Sequence, residues 1–229
     1  MIDIQQAIAK IIRRRQDVPA QRSVLVAISG IDGSGKGHLT RLIVEQLCRT
    51  GLNSIHLNVD GWLNLPAKRF SKEHPAQQFY DHAIRFEEMF QQLVLPLRKA
   101  RSISLMADFT EETATSYRQH LYQYRDVDVI VLEGIYLLKE AFRSYFDLSF
   151  WIECSFETAL ERALQRGQEQ LPPAETIQAY ETIYFPAQRI HFAKDNPRSA
   201  ADFIIANDPR LEPVAYQIGE PELLQTMTG

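Results

Sequence analysis

The heptapeptide Gly30-Ile31-Asp32-Gly33-Ser34-Gly35-Lys36 carries the most specific chemistry in this 229-residue chain. It fits G-x-x-x-x-G-K, a spacing in which glycines let successive backbone N–H groups converge on an anion. Lys36 adds a point charge suited to the β- and γ-phosphates of a nucleotide. The alternative is a glycine turn that merely joins strand to helix, which would not call for Gly33, Gly35 and Lys36 in register. The next residue is Gly37, where most such loops place the Ser or Thr whose hydroxyl holds Mg²⁺. Thr40, one turn on, is the nearest hydroxyl that could assist.

Two acids are candidates for the rest of the chemistry. Asp60 ends the strand expected over 55–59, and ligands gather at the carboxyl ends of strands in open α/β sheets. A carboxylate there can take the proton of an attacking hydroxyl and bind a metal-bound water. It could equally be a turn-forming Asp before Gly61. Glu133 ends the run Val129-Ile130-Val131-Leu132, a place for a metal-facing acid, or for a Glu that opens a helix. Arg162 and Arg166 are four apart and so share a helical face, suited to closing over phosphates or simply to solvation. Asp81-His82 lies in a helical stretch and is unremarkable by itself.

Positioning these residues requires strands alternating with helices. The periodicity predicts an amphipathic helix over 2–16, a buried strand over 24–28, a helix over about 38–50 and a strand over 55–59. A loop over 62–75, a helix over 76–100 and an edge strand over 103–106 follow. Strands at 127–132, 148–152 and 203–205 complete the set. Ser155 is a helix N-cap, and Pro172-Pro173 opens another helix. The expected fold is an α/β doubly wound, mostly parallel sheet of the P-loop NTPase type, with helices on both faces and a small helical lid. One domain is expected over 1–229, with an N-terminal amphipathic helix at 1–20, a lid and following helix at about 155–195, and a tail at 209–229.

Bulk properties narrow the partners. A formal charge of −4 gives no basic field for nucleic acid. Cys48 and Cys154 are the only cysteines and stand far apart, which points to reduced thiols in the cytoplasm and away from structural zinc. No apolar run approaches the ~18 residues of a membrane span, and the first twenty residues are too charged for a signal peptide. The expected partners are ATP with Mg²⁺ and a small-molecule acceptor, with neither nucleic acid nor membrane; a homo-oligomer stays open.

Taken in order, the loop at 30–36, V-D-G-W at 59–62, F-Y-D-H at 79–82, V-I-V-L-E-G at 129–134 and the Arg-bearing helix before A-D-F-I-I at 201–205 resemble the uridine kinase and phosphoribulokinase family. The resemblance spans about residues 22–207. It implies an ATP-dependent kinase acting on a hydroxyl of a nucleoside-like or sugar-like acceptor. Asp60 then matches the catalytic base, acting with Lys36 and Glu133, and Asp60 and Glu133 are associated with the metal. The nucleotide set is Gly30, Asp32, Gly33, Ser34, Gly35, Lys36, Gly37 and His38, with Arg162 and Arg166 in the lid and Asn207 beside the adenine. Asp81 and Asp108, with Asp60, fall where relatives bind the acceptor. Gly37 is similar to the adenylate kinase loop, which implies a metal held mainly through water.

Departures bear on the acceptor. Ala107 replaces a Tyr, Glu112 and Ala114 stand where uridine kinases have a His and an Arg, and Leu63 stands where an aromatic is expected. Uridine is therefore not the expected acceptor. A nucleoside monophosphate kinase, using Arg69, Arg85 and Arg118 to hold an acceptor phosphate, is one alternative. A nucleotide-binding regulator without turnover is the other.

Overall fold

Five parallel strands form the centre of the fold in the computed structural model, which describes residues 1–167 and 171–211. The strands are β1 (Val24–Gly30), β2 (Ser54–Asn58), β5 (Val129–Gly134), β6 (Leu148–Glu153) and β7 (Phe203–Ala206), in spatial order β2-β5-β1-β6-β7. β1 is buried along its whole length because both faces are covered. Val24, Val26 and Ile28 pack into one apolar layer, and Leu25 and Ala27 into the other. That two-sided burial is why the strand reads as a continuous apolar run.

One layer holds α1 (Ile4–Asp17) and α2 (Lys36–Arg49). α1 begins with a capping box between Asp3 and Gln6 and buries Ala7, Ile8 and Ile11. Just before it, Ile2 pairs with Ile205 at the β7 edge of the sheet. The opposite layer holds α4 (Pro75–His82), α8 (Phe156–Arg166), α9 (Pro173–Ala179) and α10 (Phe185–Asp195), with short helices α3 (Pro66–Arg69), α5 (Phe86–Met89), α6 (Leu95–Ala100), α7 (Glu140–Arg143) and α11 (Pro197–Ala200) at connections.

Three local expectations change. The stretch 62–75 is not wholly loop, since it contains α3. The helix expected over 76–100 breaks at Ala83–Arg85. There the chain after β2 takes over the backbone bonding: Asn64 N–H donates to Ala83 O at 2.9 Å, Arg85 N–H to Trp62 O at 2.8 Å, and Leu63 bridges Ile84. The expected edge strand at 103–106 belongs to a separate antiparallel ribbon of β3 (Ile103–Phe109) and β4 (Arg118–Tyr124). The sequence gives little sign of β4, because only Tyr122 of its seven residues is buried.

Two helices run through π turns, Phe90–Val94 and Tyr180–Tyr184, each followed by a proline at the second position of the next segment, Pro96 and Pro186. Proline lacks an N–H and its ring crowds the carbonyl four residues back, so a wider turn before it relieves both problems. The tail expected at 209–229 lies outside the described residues beyond Leu211. Among the described residues, no helix is long and apolar enough to cross a membrane.

Candidate active site

β1 ends at Gly30, and the chain turns through the glycine loop into α2, whose N-terminal N–H groups face the loop. Gly33 (φ 74°) and Gly35 (φ 82°) sit in the left-handed region. A Cβ would come within 2.4 Å of Ala159 O at the first and 2.4 Å of Asn207 Nδ2 at the second, so no side chain fits either place. The buried Ser34 hydroxyl has no protein hydrogen-bond partner. Its carbonyl is braced by Asn207 Nδ2 at 2.7 Å and Arg162 Nη1 at 3.1 Å. Thr40 is buried and donates to Lys36 O at 2.9 Å, so its hydroxyl serves the helix instead of a metal.

A cavity of about 320 Å³ opens over this loop and brings together Asp32, Lys36, His38, Asp60, Glu133 and Arg166. Lys36 Nζ lies 3.9 Å from Glu133 Oε1. Glu133 is 3% exposed, and its Oε2 would be 3.7 Å from a Cβ at position 37. Gly37 therefore leaves open space against the carboxylate where a hydroxyl would otherwise stand. His56 Nε2 approaches that same Oε2 at 3.3 Å from β2.

Asp60 sits in a 3₁₀ turn, Val59–Trp62, directly after β2, and its N–H bonds Asn58 Oδ1 at 2.7 Å. Burial, reinforced by the Glu133 charge, raises its carboxyl to about 6 against the partial relief offered by Lys36. A carboxylate poised there is a better proton acceptor than a solvated one. Asp32 behaves in the opposite way: burial pushes it up, but Lys36, Arg166, the Tyr180 hydroxyl and the Gly33 N–H together hold it below the usual range.

Residues of α8 and of the π turn at Tyr180–Tyr184 meet the loop. Tyr180 hydroxyl donates to Asp32 Oδ2, and Arg166 Nη2 lies 3.7 Å from Asp32 Oδ1. Arg166 lines the cavity, whereas Arg162 points to the loop carbonyls of Ser34 and Asn207 (2.9 Å to the latter) and braces them. The two arginines predicted on one face thus do different work.

A second cavity, of about 430 Å³, adjoins the first. Asn58, Asp60 and Glu112 line both. Its walls carry His56 from β2, Trp62 from the turn that follows it, and Phe109 and Tyr122 from the β3–β4 ribbon. Two predicted acceptor residues are not part of either cavity. Asp108 accepts from Gln119 Nε2 at 2.5 Å across the ribbon, and it is its neighbour Phe109 that lines the cavity. Asp81 is exposed, accepts from Gln77 at 2.6 Å and lines a separate surface depression with His82 and Glu87. α4 reaches the first cavity through Phe79, and Asp81, two residues further on, lies on another face of the helix.

The arginines weighed for an acceptor phosphate line neither cavity and are paired with acidic and carbonyl groups. Arg69 bonds Glu112, Arg85 bonds Glu88 and Asp108 O, and Arg118 bonds Glu111. Sequence reasoning missed His56, Tyr180 and Gln188. His56 had one readable signal, its alternation with Asn58 on a strand whose next residue but one is Asp60; Tyr180 and Gln188 reach the site only through a π turn and had none.

A family model described as "Phosphoribulokinase / Uridine kinase family" matches residues 25–171. The uridine kinase of Histophilus somni (strain 2336) is 27% identical over 154 residues, covering 66% of this chain and 71% of the relative. That of Limosilactobacillus reuteri (strain DSM 20016) is 29% identical over 150 residues, covering 64% and 66%. Among solved structures, a possible uridine kinase from Bacillus stearothermophilus superposes with a TM-score of 0.67 at 19% identity, over 88% of this chain and 98% of that one. A D-glycerate 3-kinase from Cryptococcus neoformans var. grubii serotype A gives 0.58 at 11% identity, over 80% and 87%. Both share the fold.

Proposed function

The chain belongs to the phosphoribulokinase / uridine kinase family, and from that premise we propose that it phosphorylates a nucleoside-like or sugar-like alcohol, with ATP in the first cavity and the acceptor in the second. The carrying observation is Asp60, which stands in the wall common to both cavities and in the field of Lys36 and Glu133. The glycine loop and α2 hold the phosphates, and Lys36 and Arg166 balance their charge. The acceptor oxygen attacks the γ-phosphorus, the bond to the β–γ bridging oxygen breaks, and the hydroxyl proton passes to Asp60. ADP and the phosphorylated alcohol leave.

The donor set fits Mg²⁺. Asp60 and Glu133 are hard oxygen ligands, and Gly37 leaves room for water against Glu133. When bound, the ion would neutralise charge on the transferring phosphoryl group. Asp60 and Glu133 would hold it chiefly through its waters.

A monophosphate kinase is disfavoured by the pairing of Arg69, Arg85 and Arg118 with acidic and carbonyl partners. Retention of both Asp60 and Glu133 in the cavity speaks against a regulator that does not turn over. The test is Asp60→Asn. General-base assistance is worth ~10²–10⁴ in rate, so kcat should fall by that factor while calorimetry shows unchanged ATP affinity. Asn serves a turn as well as Asp does, so near-wild-type turnover would reduce Asp60 to a turn residue.

A further inference from the structure

The loop after β3 brings Glu112 to the border of the two cavities, and the manner of its anchoring is informative. Arg69 is 1% exposed. Its Nη2 donates to the Glu112 carbonyl at 2.6 Å and its Nη1 to Glu112 Oε1 at 3.3 Å. A buried guanidinium is costly without its counter-ion, so this pair fixes the loop and holds the carboxylate in place. Among the described residues lining the second cavity, no lysine or arginine occurs. Its charged groups are Asp60, Glu111 and Glu112, with the imidazole of His56.

This arrangement sorts ligands. An acceptor phosphate or carboxylate in the second cavity would meet Asp60 and Glu112 with no basic side chain to receive it. An amine, an exocyclic amino group or a further hydroxyl would donate to Glu112, since an ionised carboxylate accepts only. The aromatic faces of Tyr122 and Tyr124 favour positive charge in the same space. Resting on the kinase reading above, we propose that Glu112, held by buried Arg69, selects an alcohol that presents hydrogen-bond donors or positive charge and bears no phosphate or carboxylate.

The test uses the full chain with MgATP and matched acceptors: cytidine against uridine, glucosamine against glucose, glycerol against glycerate, ribose against ribose 5-phosphate, and each nucleoside against its 5′-monophosphate. Turnover should be confined to members without an anionic group, and cytidine and glucosamine should exceed uridine and glucose in kcat/KM. Glu112→Gln keeps the Arg69 bond to the main-chain carbonyl, so the fold should survive. A charge-assisted hydrogen bond contributes enough that this variant should lose the preference roughly tenfold or more, through KM, with kcat nearly constant. Glu112→Asp should retain it. Efficient turnover of a phosphorylated or carboxylated acceptor overturns the inference, as does turnover of no panel member. A Glu112→Gln protein of lowered Tm but unchanged preference also overturns it, because Glu112 would then only neutralise Arg69. Calorimetry separates the two levels. A protein that binds MgATP and phosphorylates only anions keeps the kinase reading and loses this one, and a protein that fails to bind MgATP loses both.

Discussion

At the scale of single residues the site turns on three carboxylates in three environments. Asp32 is held ionised by cations and a tyrosine, Glu133 is sealed beneath the loop beside Lys36, and Asp60 is lifted to about 6 by burial and by Glu133. A base must be deprotonated to act, so kcat/KM should rise with pH through about 6 and level above it. That acid limb should be missing in Asp60→Asn; an unchanged limb would assign the titration to another group. His56 and position 37 both face Glu133 Oε2. We expect His56→Ala to weaken ATP binding several-fold in Mg²⁺ and to leave it unchanged in EDTA, by calorimetry, with His56→Gln intermediate. An equal loss in both media would make His56 a general packing residue. The loop was legible because its backbone chemistry demands particular residue types at fixed spacing. Asp60 and Glu133 were legible because each stands at the end of a readable strand, alternating over 55–59 and continuously apolar over 129–132. His56 and Glu112 were not, because their meaning lies in what faces them from other strands and from buried Arg69.

At the scale of elements, the strands and long helices followed from their apolar patterns, and the failures were local. The break at Ala83–Arg85 depends on bonds from residues 62–64, and β4 is too exposed to show alternation. Neither π turn has a sequence period of its own. The turn at Tyr180–Tyr184 nonetheless matters, since it precedes the α10 residues of the site: Tyr180 meets Asp32, while Tyr184 and Gln188 line the first cavity. α10 is pinned at its other end by Asp195, which accepts from Tyr80 hydroxyl at 2.5 Å and pairs with His191 Nδ1 at 2.7 Å. Tyr80→Phe should cost about 1–3 kcal/mol in urea unfolding. Burial depresses His191 to about 4, so between about 4 and the ordinary value of 6.5 the unfolded chain binds the extra proton. Stability should therefore rise with pH across that window, and a His191→Gln protein should show a shallower rise.

At the scale of the whole molecule, the strand order places β1 in the middle of the sheet, and the loop that follows it lines the first cavity. The second cavity lies beside β2 and the β3–β4 ribbon, and Asn58 and Asp60, at the turn after β2, line both. Two compartments sharing one wall allow both reactants to be present at once, which has a stereochemical consequence. Direct transfer between them is a single in-line displacement, and each displacement inverts the configuration at phosphorus. A γ-phosphate made chiral with oxygen isotopes should arrive on the alcohol inverted, and initial-rate plots against ATP at several acceptor concentrations should intersect. Retention, or parallel lines, would mean that the phosphoryl group pauses on a side chain, and that the wall between the compartments is crossed in two steps.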